Sequence, residues 1–472
     1  MSIVAVPHRG GAHEQLAWAL TQSPCEATIA VTLPAPVAPL SAFLAAVPRE
    51  GSFMWHPPLG PGVAGSGATA SIDLEGPERI HAVRAWTTTL FGSLVHYALE
   101  GATPMPIRVF GGLAFEAGFS QQTPWEPFGD GCFTLPRWTY VKNEDTASLV
   151  LTIAAHDAKD LLQVDRAISE MESITDALRA TEGTTTRTRL PAYRTIPSVC
   201  VAQIPEGEWH ALVEAAKTTL ARGEFTKLVA ARRCDVTLLE QVNDLDVIGR
   251  LIAEPTCTRF AFRRAKSSFV GASPETLFAK EGLVATTEAL AGTIRSLGTD
   301  PPILHAQKTK LYDSDKDASE HRIVVQEIER ALSRLATSVD HPPRAEIRKI
   351  RNILHLSTPF VATLREGATA FDLLAALHPT PAVGGLPREG ASKWIVKHER
   401  HHRGWYTGPV GWFDAEGDGA FVVAIRSGVI AADKAYVYTG AGIVEESDSD
   451  LEYAETQLKQ LPLLRALGVA DT

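Results

Sequence analysis

Cysteine is scarce in this chain: five among 472 residues, at 25, 132, 200, 234 and 257, with no CxxC pair and an odd count. That fits reduced thiols in a cytosolic protein rather than a disulfide framework. Positive charge is also short. Lys and Arg number 45 against 55 Asp and Glu, for a formal charge of −10. This balance argues against nucleic acid or an anionic membrane as a partner. Long apolar runs are missing too. The most apolar early stretch, Ala27–Val47, is broken by Pro34, Pro36 and Pro39 and does not read as a membrane helix. The first residues carry His8, Arg9 and Glu14 without an apolar core, so no signal peptide is expected and the chain reads as soluble and cytoplasmic. No internal repeat or low-complexity segment is evident.

What is present is ordinary globular material, 45% hydrophobic and 21% charged, enough for a sizeable core. Such an acidic chain can handle an anionic substrate only by concentrating positive charge locally or recruiting a divalent cation. Residues 1–60 suggest one strand near Thr28–Leu33, and the glycine-rich Gly60–Ser71 reads as a flexible loop. Pro77–Leu99 has helical periodicity, Ile107–Phe115 reads as a strand, and Cys132–Val141 and Ser148–Ala154 read as two more, joined by a polar turn. Ala158–Ala180 looks helical. The polar, threonine-rich Thr181–Pro197 is the linker candidate, dividing a 1–195 half from a 196–472 half.

In the second half, Trp209, Leu212, Val213, Ala216 and Leu220 follow a 3.6-residue period. Phe225–Leu238 reads as a strand or strand pair with Lys227 amid apolar residues, and Thr258–Arg263 with Ser268–Gly271 as a hairpin. Val284–Leu290 and Ile353–Pro359 are further strands, and a helix is expected from about Ser319 to Leu335. The stretch Tyr436–Lys459 passes from a strand through Gly440-Ala441-Gly442 to a helix from about Leu451, with Ser447 or Ser449 as its N-cap. On that helix Glu452, Glu455 and Lys459 fall within an arc of about 60°. Taken alone, this is a solvated face with an i,i+4 Glu–Lys pair worth a few tenths of a kcal/mol.

The rest of the chain changes that reading. FTKLVAAR (225–232), TTEALAGT (286–293), SDKDASEH (314–321), LHLSTPF (354–360), HPTPAVGG (378–385), RGWYTGPVGW (403–412), FVVAIRS (421–427) and GAGIVEESDSDLEYAET (440–456) occur in this order. Together they resemble the chorismate-utilising enzymes: isochorismate, salicylate, anthranilate and aminodeoxychorismate synthases. FGGLAFEAG (110–118) and FGDGCFTLP (128–136) resemble the N-terminal half of the same family. The resemblance implies an α/β (α+β) fold of two stacked antiparallel-rich sheets wrapped by helices, with 1–195 adding strands to the sandwich around a catalytic 196–472 half.

Residue by residue, the resemblance implies that Lys227 is the general base and Glu288 the general acid. Glu320 and Glu455 match magnesium ligands, and Glu452 an assisting carboxylate. Few hard oxygens suit a Mg²⁺ that keeps waters and binds substrate. Asp315 falls where a further glutamate often sits. Arg426 and Tyr406 match residues that bind the enolpyruvyl carboxylate, and His355 and Lys459 residues near the substrate and metal. Gly292, Thr293, Gly440 and Gly442 would supply close backbone and hydroxyl contacts. Singly, Lys227 reads as a snorkelling edge-strand lysine and Glu288 as a solvent-facing carboxylate. His398, His401 and His402 lie outside the pattern and read as a solvated loop.

Two positions separate the members. Ala291 stands where aminodeoxychorismate synthases resemble one another in a nucleophilic lysine, and Lys227 where anthranilate synthases have glutamine. Water is therefore the expected nucleophile, and no amidotransferase subunit is expected. HPTPAVGGLP (378–387) resembles the isochorismate synthases and departs from the salicylate synthase loop. The expected activity is reversible conversion of chorismate to isochorismate, which feeds menaquinone, siderophore or salicylate synthesis. Salicylate synthase, an amine-forming subunit and a non-enzymatic relic are the competing readings.

Overall fold

Pro136-Arg137 splits what the sequence suggests is one strand, Cys132–Val141, into two strands of different sheets. Proline cannot donate to a ladder, so pairing stops there. Gly131–Leu135 stays in one sheet and Trp138–Lys142 crosses to the other. A computed structural model describes residues 3–6, 10–22, 27–119, 121–182, 198–251, 256–296, 301–350 and 353–469. Among these, one sheet has 14 strands and the other 10. Pairing is antiparallel except where Leu94–Ala98 runs parallel to Ile3–Ala5 and to Thr28–Pro34. From residue 183 onward, the expected linker lies outside the described residues.

Both sheets run across the two halves of the chain. In the larger, Phe53–His56 pairs with Thr258–Arg264, and in the smaller, Arg108–Leu113 pairs with Pro409–Asp414. Aromatic side chains from both halves fill one of the cores. Trp125 lies 5.4 Å from Phe269 and 5.5 Å from Tyr438, and Phe128 lies 5.6 Å from Trp405. Such ring pairs add about 0.5–1.5 kcal/mol each beyond their area. This cluster backs the cavity described below.

Local departures have physical causes. Gly60–Ser71 is not a loop throughout: Gly62–Ser66 is a buried strand, and Ala70–Leu74 begins another. A Cβ on Gly65 would sit 2.2 Å from the Phe53 ring, so glycine here serves close packing. The helix expected over Pro77–Leu99 stops at Gly92, and the β-formers of Leu94–Ala98 enter the sheet. Pro301–Tyr312 is a helix, with proline tolerated in a first turn whose N–H groups have no intrahelical partner. The next helix, Asp315–Ser333, begins four residues earlier than expected because the Ser314 side chain caps it at Asp317 N. No helix among the described residues is long and apolar enough to cross a membrane.

Candidate active site

Lys227 opens the Lys227–Leu238 strand, which pairs with Lys434–Ile443 on one side and with Ser198–Ala202 and Gly385–Leu386 on the other. It is 0% exposed, so the snorkelling reading does not hold. Its Nζ lies 2.9 Å from Glu320 Oε1. The contact depends on Gly442, which pairs with Val229. A Cβ there would lie 2.5 Å from Glu320 Oε1 and 3.3 Å from Lys227 Cε.

Beside this pair opens a cavity of about 720 Å³. Nine of the residues singled out in the sequence line it: Gly292, Glu320, His355, Tyr406, Arg426, Gly440, Gly442, Glu455 and Lys459. The helix Ser449–Ala466 delivers Glu455 and Lys459. Its cap is Asp448, not a serine, accepting from the amides of Asp450 and Leu451. Lys459 Nζ is 2.5 Å from Glu455 Oε1 and donates to Gly440 O at 3.0 Å. Arg426 holds a positive φ of 52°, uncommon outside glycine, and donates to Lys459 O at 3.1 Å. Gly292, at φ +76°, marks a register shift in the Val284–Arg295 strand opposite His355.

The electrostatics follow from burial. His355 is pushed well below its usual range by desolvation and by the charges of Arg426 and Lys459, so it is neutral near pH 7. Tyr406 stacks on Tyr438 at 5.2 Å, and burial raises both phenols, which stay protonated. Tyr438 in turn accepts from Trp125 Nε1 at 2.9 Å, so the first half of the chain braces this wall.

Four expectations meet a different placement. Glu288 is not among the lining residues; it pairs with Arg348 and accepts from Ser357. A carboxyl that sequence reasoning passed over, Glu275, lies on the cavity wall, 6% exposed. Burial raises it from 4.5 to about 7, with Lys227 opposing and Glu288 reinforcing the shift. Its signal in the sequence was a carboxylate at the join of two strands, Ser267–Ser273 and Thr276–Glu281, where the hairpin reading stopped short. Glu452 is 2% exposed and accepts from Ser447 Oγ at 2.8 Å, away from the lining.

Asp315 is exposed, whereas Asp317 is buried and accepts from Ser314 Oγ at 2.5 Å. The histidine cluster is not simply solvated. His398 stacks on Trp394 and His402 on Phe119, each at 4.3 Å, and burial pushes His401 down to about 4. Thr293 pairs through its backbone with His355.

Residues 14–468 match the family described as chorismate binding enzyme. The chain is 33% identical over 364 residues to isochorismate synthase MenF of Bacillus subtilis (strain 168), covering 76% of this chain and 74% of that protein. It is 34% identical over 368 residues to the salicylate biosynthesis isochorismate synthase of Pseudomonas aeruginosa, covering 77% and 75%. The solved structure of MenF, the menaquinone-specific isochorismate synthase from Escherichia coli, superposes with a TM-score of 0.76 at 26% identity, covering 97% of this chain and 99% of that one. With a family match spanning nearly its whole length and a cavity lined by residues of the motifs that suggested it, the chain belongs to the chorismate-binding enzymes.

Proposed function

We propose that this protein is an isochorismate synthase, an isomerase that adds water at C2 of chorismate as the C4 hydroxyl departs. The observation that carries the reading is a buried carboxyl on the cavity wall, Glu275, raised to about 7, with the fully buried Lys227 behind the wall, close enough to oppose that shift and paired with the lining residue Glu320. In this reading Lys227 takes the proton of the attacking water. Glu275, rather than Glu288, gives a proton to the leaving hydroxyl, since it lines the cavity and is protonated at a suitable pH. Water enters and water leaves, so the reaction is balanced without a redox partner.

Chorismate carries two carboxylates. Arg426 and Tyr406 would hold the enolpyruvyl carboxylate, the guanidinium by charge-assisted hydrogen bonds and the phenol as a neutral donor. Lys459 adds a cation to the same wall. His355, neutral, offers a hydrogen bond without adding charge. Ala291 on the wall supplies no nucleophile, which supports water over an enzyme amine.

Glu320 and Glu455 would hold Mg²⁺. Both line the cavity, their oxygens are hard donors, and the missing Cβ at Gly442 leaves room beside Glu320. Among the described residues, the one group of His, Asp and Glu with three donor atoms within 4.8 Å is instead Glu206, His210 and Asp450. A cation at Glu320 and Glu455 would therefore draw its remaining ligands from water and substrate, and would supply Lewis-acid neutralisation of a ring carboxylate. Chelation should abolish turnover and Mg²⁺ should restore it. Lys227→Ala should lower turnover by ~10²–10⁴, the usual effect of losing a general base. Full activity in excess chelator would refute the metal assignment.

A further inference from the structure

We infer that Arg403, oriented by Glu399, is a positioning residue that clamps two walls of the cavity into register. The inference rests on the functional reading above for its kinetic consequence, but not for its geometry. Arg403 is 3% exposed, and the Glu399 side chain is also 3% exposed. A guanidinium has five N–H donors, and here each has an acceptor. Nε donates to Glu399 Oε2 at 2.9 Å and one terminal nitrogen to Glu399 Oε1 at 2.5 Å. The others reach Val229 O at 2.8 Å, Val383 O at 2.6 Å and Thr407 Oγ1 at 3.4 Å.

Val229, Val383 and Thr407 all line the cavity, while Arg403 does not. They come from three places in the chain: the strand that carries Lys227, the segment before Gly385–Leu386, and the turn that follows Tyr406. Glu399 adds a further tie, because its Oε1 also accepts from Ala231 N at 2.8 Å. The Phe115 ring, 4.6 Å from the guanidinium carbon, closes the site from the N-terminal half.

A buried ion pair is a poor source of net stability, since desolvation offsets most of its attraction. What this one does supply is geometry. A planar fork fixes two carbonyls from separate elements against one carboxylate, and a lysine, with three donors on a point charge, could not satisfy the same set. Lys227 lies two residues from Val229 on the same strand, so its position depends on the clamp.

The test is Arg403→Lys, with Glu399→Gln as the milder second variant should the first fail to fold. Hydrogen–deuterium exchange is followed in peptides covering 227–231 and 380–385, with 147–154 as a remote reference, alongside kcat and KM for chorismate. The expected result is faster exchange in both wall peptides but not in the reference. With it, kcat should fall by about 10²-fold with KM nearly unchanged, the signature of misplaced rather than missing contacts. Parent-like exchange in the wall peptides would overturn the inference. So would faster exchange at parent-like kcat, which would leave Arg403 a merely structural residue. If the parent protein itself fails to turn over chorismate, the functional reading falls. The exchange pattern then decides the clamp alone.

Discussion

At the scale of single residues, Glu275 and Glu288 put the account at greatest risk. Glu275 must be protonated to act as an acid, and burial raises it to about 7. kcat/KM should therefore fall as pH rises through about 7. The same shift affects stability. Because the folded state favours the protonated form, Glu275 contributes most below the ordinary 4.5, and that contribution is lost as pH rises through about 7. Glu275→Gln should lower turnover by ~10²–10⁴, and Glu288→Gln by less. The reverse ranking in a pH-resolved rate comparison would restore Glu288 as the acid. Gly442→Ala makes a separate case. Its added Cβ must displace the Glu320 carboxylate, so the variant should need more Mg²⁺ for half-maximal rate while remaining folded; an unchanged Mg²⁺ titration would contradict this.

Much at this scale was legible because nine of the residues named from the motifs line one cavity. Glu275 escaped because nothing in a sequence reports desolvation, which alone separates it from an ordinary strand-end carboxylate.

At the scale of elements, the helix Ser449–Ala466 aims Glu455 and Lys459, and Asp448 fixes where it starts. Asp448→Ala frees two amides and should destabilise the fold by about 1 kcal/mol, read as a lower urea midpoint. Leu451→Ala, in the same turn but 71% exposed, should not shift the midpoint. Equal effects would mean the cap is incidental. The polar run after Gly440-Ala441-Gly442 made this helix readable in advance, though its cap is Asp448 rather than Ser447 or Ser449, and strand-forming residues made the Thr258–Arg264 and Ser267–Ser273 hairpin and the long strands readable. The exceptions were set by tertiary contacts: Gly62–Ser66 is a strand through its pairing with Phe53–His56 and Trp138–Lys142, with Gly65 leaving room for the Phe53 ring, and Pro136 lies between two strands of different sheets.

At the scale of the molecule, the two halves share both sheets, and the aromatic core from Trp125 to Tyr406 places N-terminal residues directly behind the substrate wall. Strand pairings between distant segments were not readable, because alternation gives a strand its faces but not its neighbours. The whole assembly serves one chemical outcome. Isochorismate keeps its enolpyruvyl ether unless the intermediate is held long enough to eliminate pyruvate. Two residues of the Ala382–Gly385 segment line the cavity, and its sequence is the one whose resemblance to isochorismate synthases led to the expectation that the reaction stops at isochorismate. The most direct measurement is incubation of the purified protein with Mg²⁺ and either chorismate or isochorismate, with product chromatography and a lactate dehydrogenase readout of pyruvate. The account predicts the same chorismate–isochorismate equilibrium from both directions with little pyruvate. Stoichiometric pyruvate with salicylate fluorescence, or no interconversion at all, would contradict it.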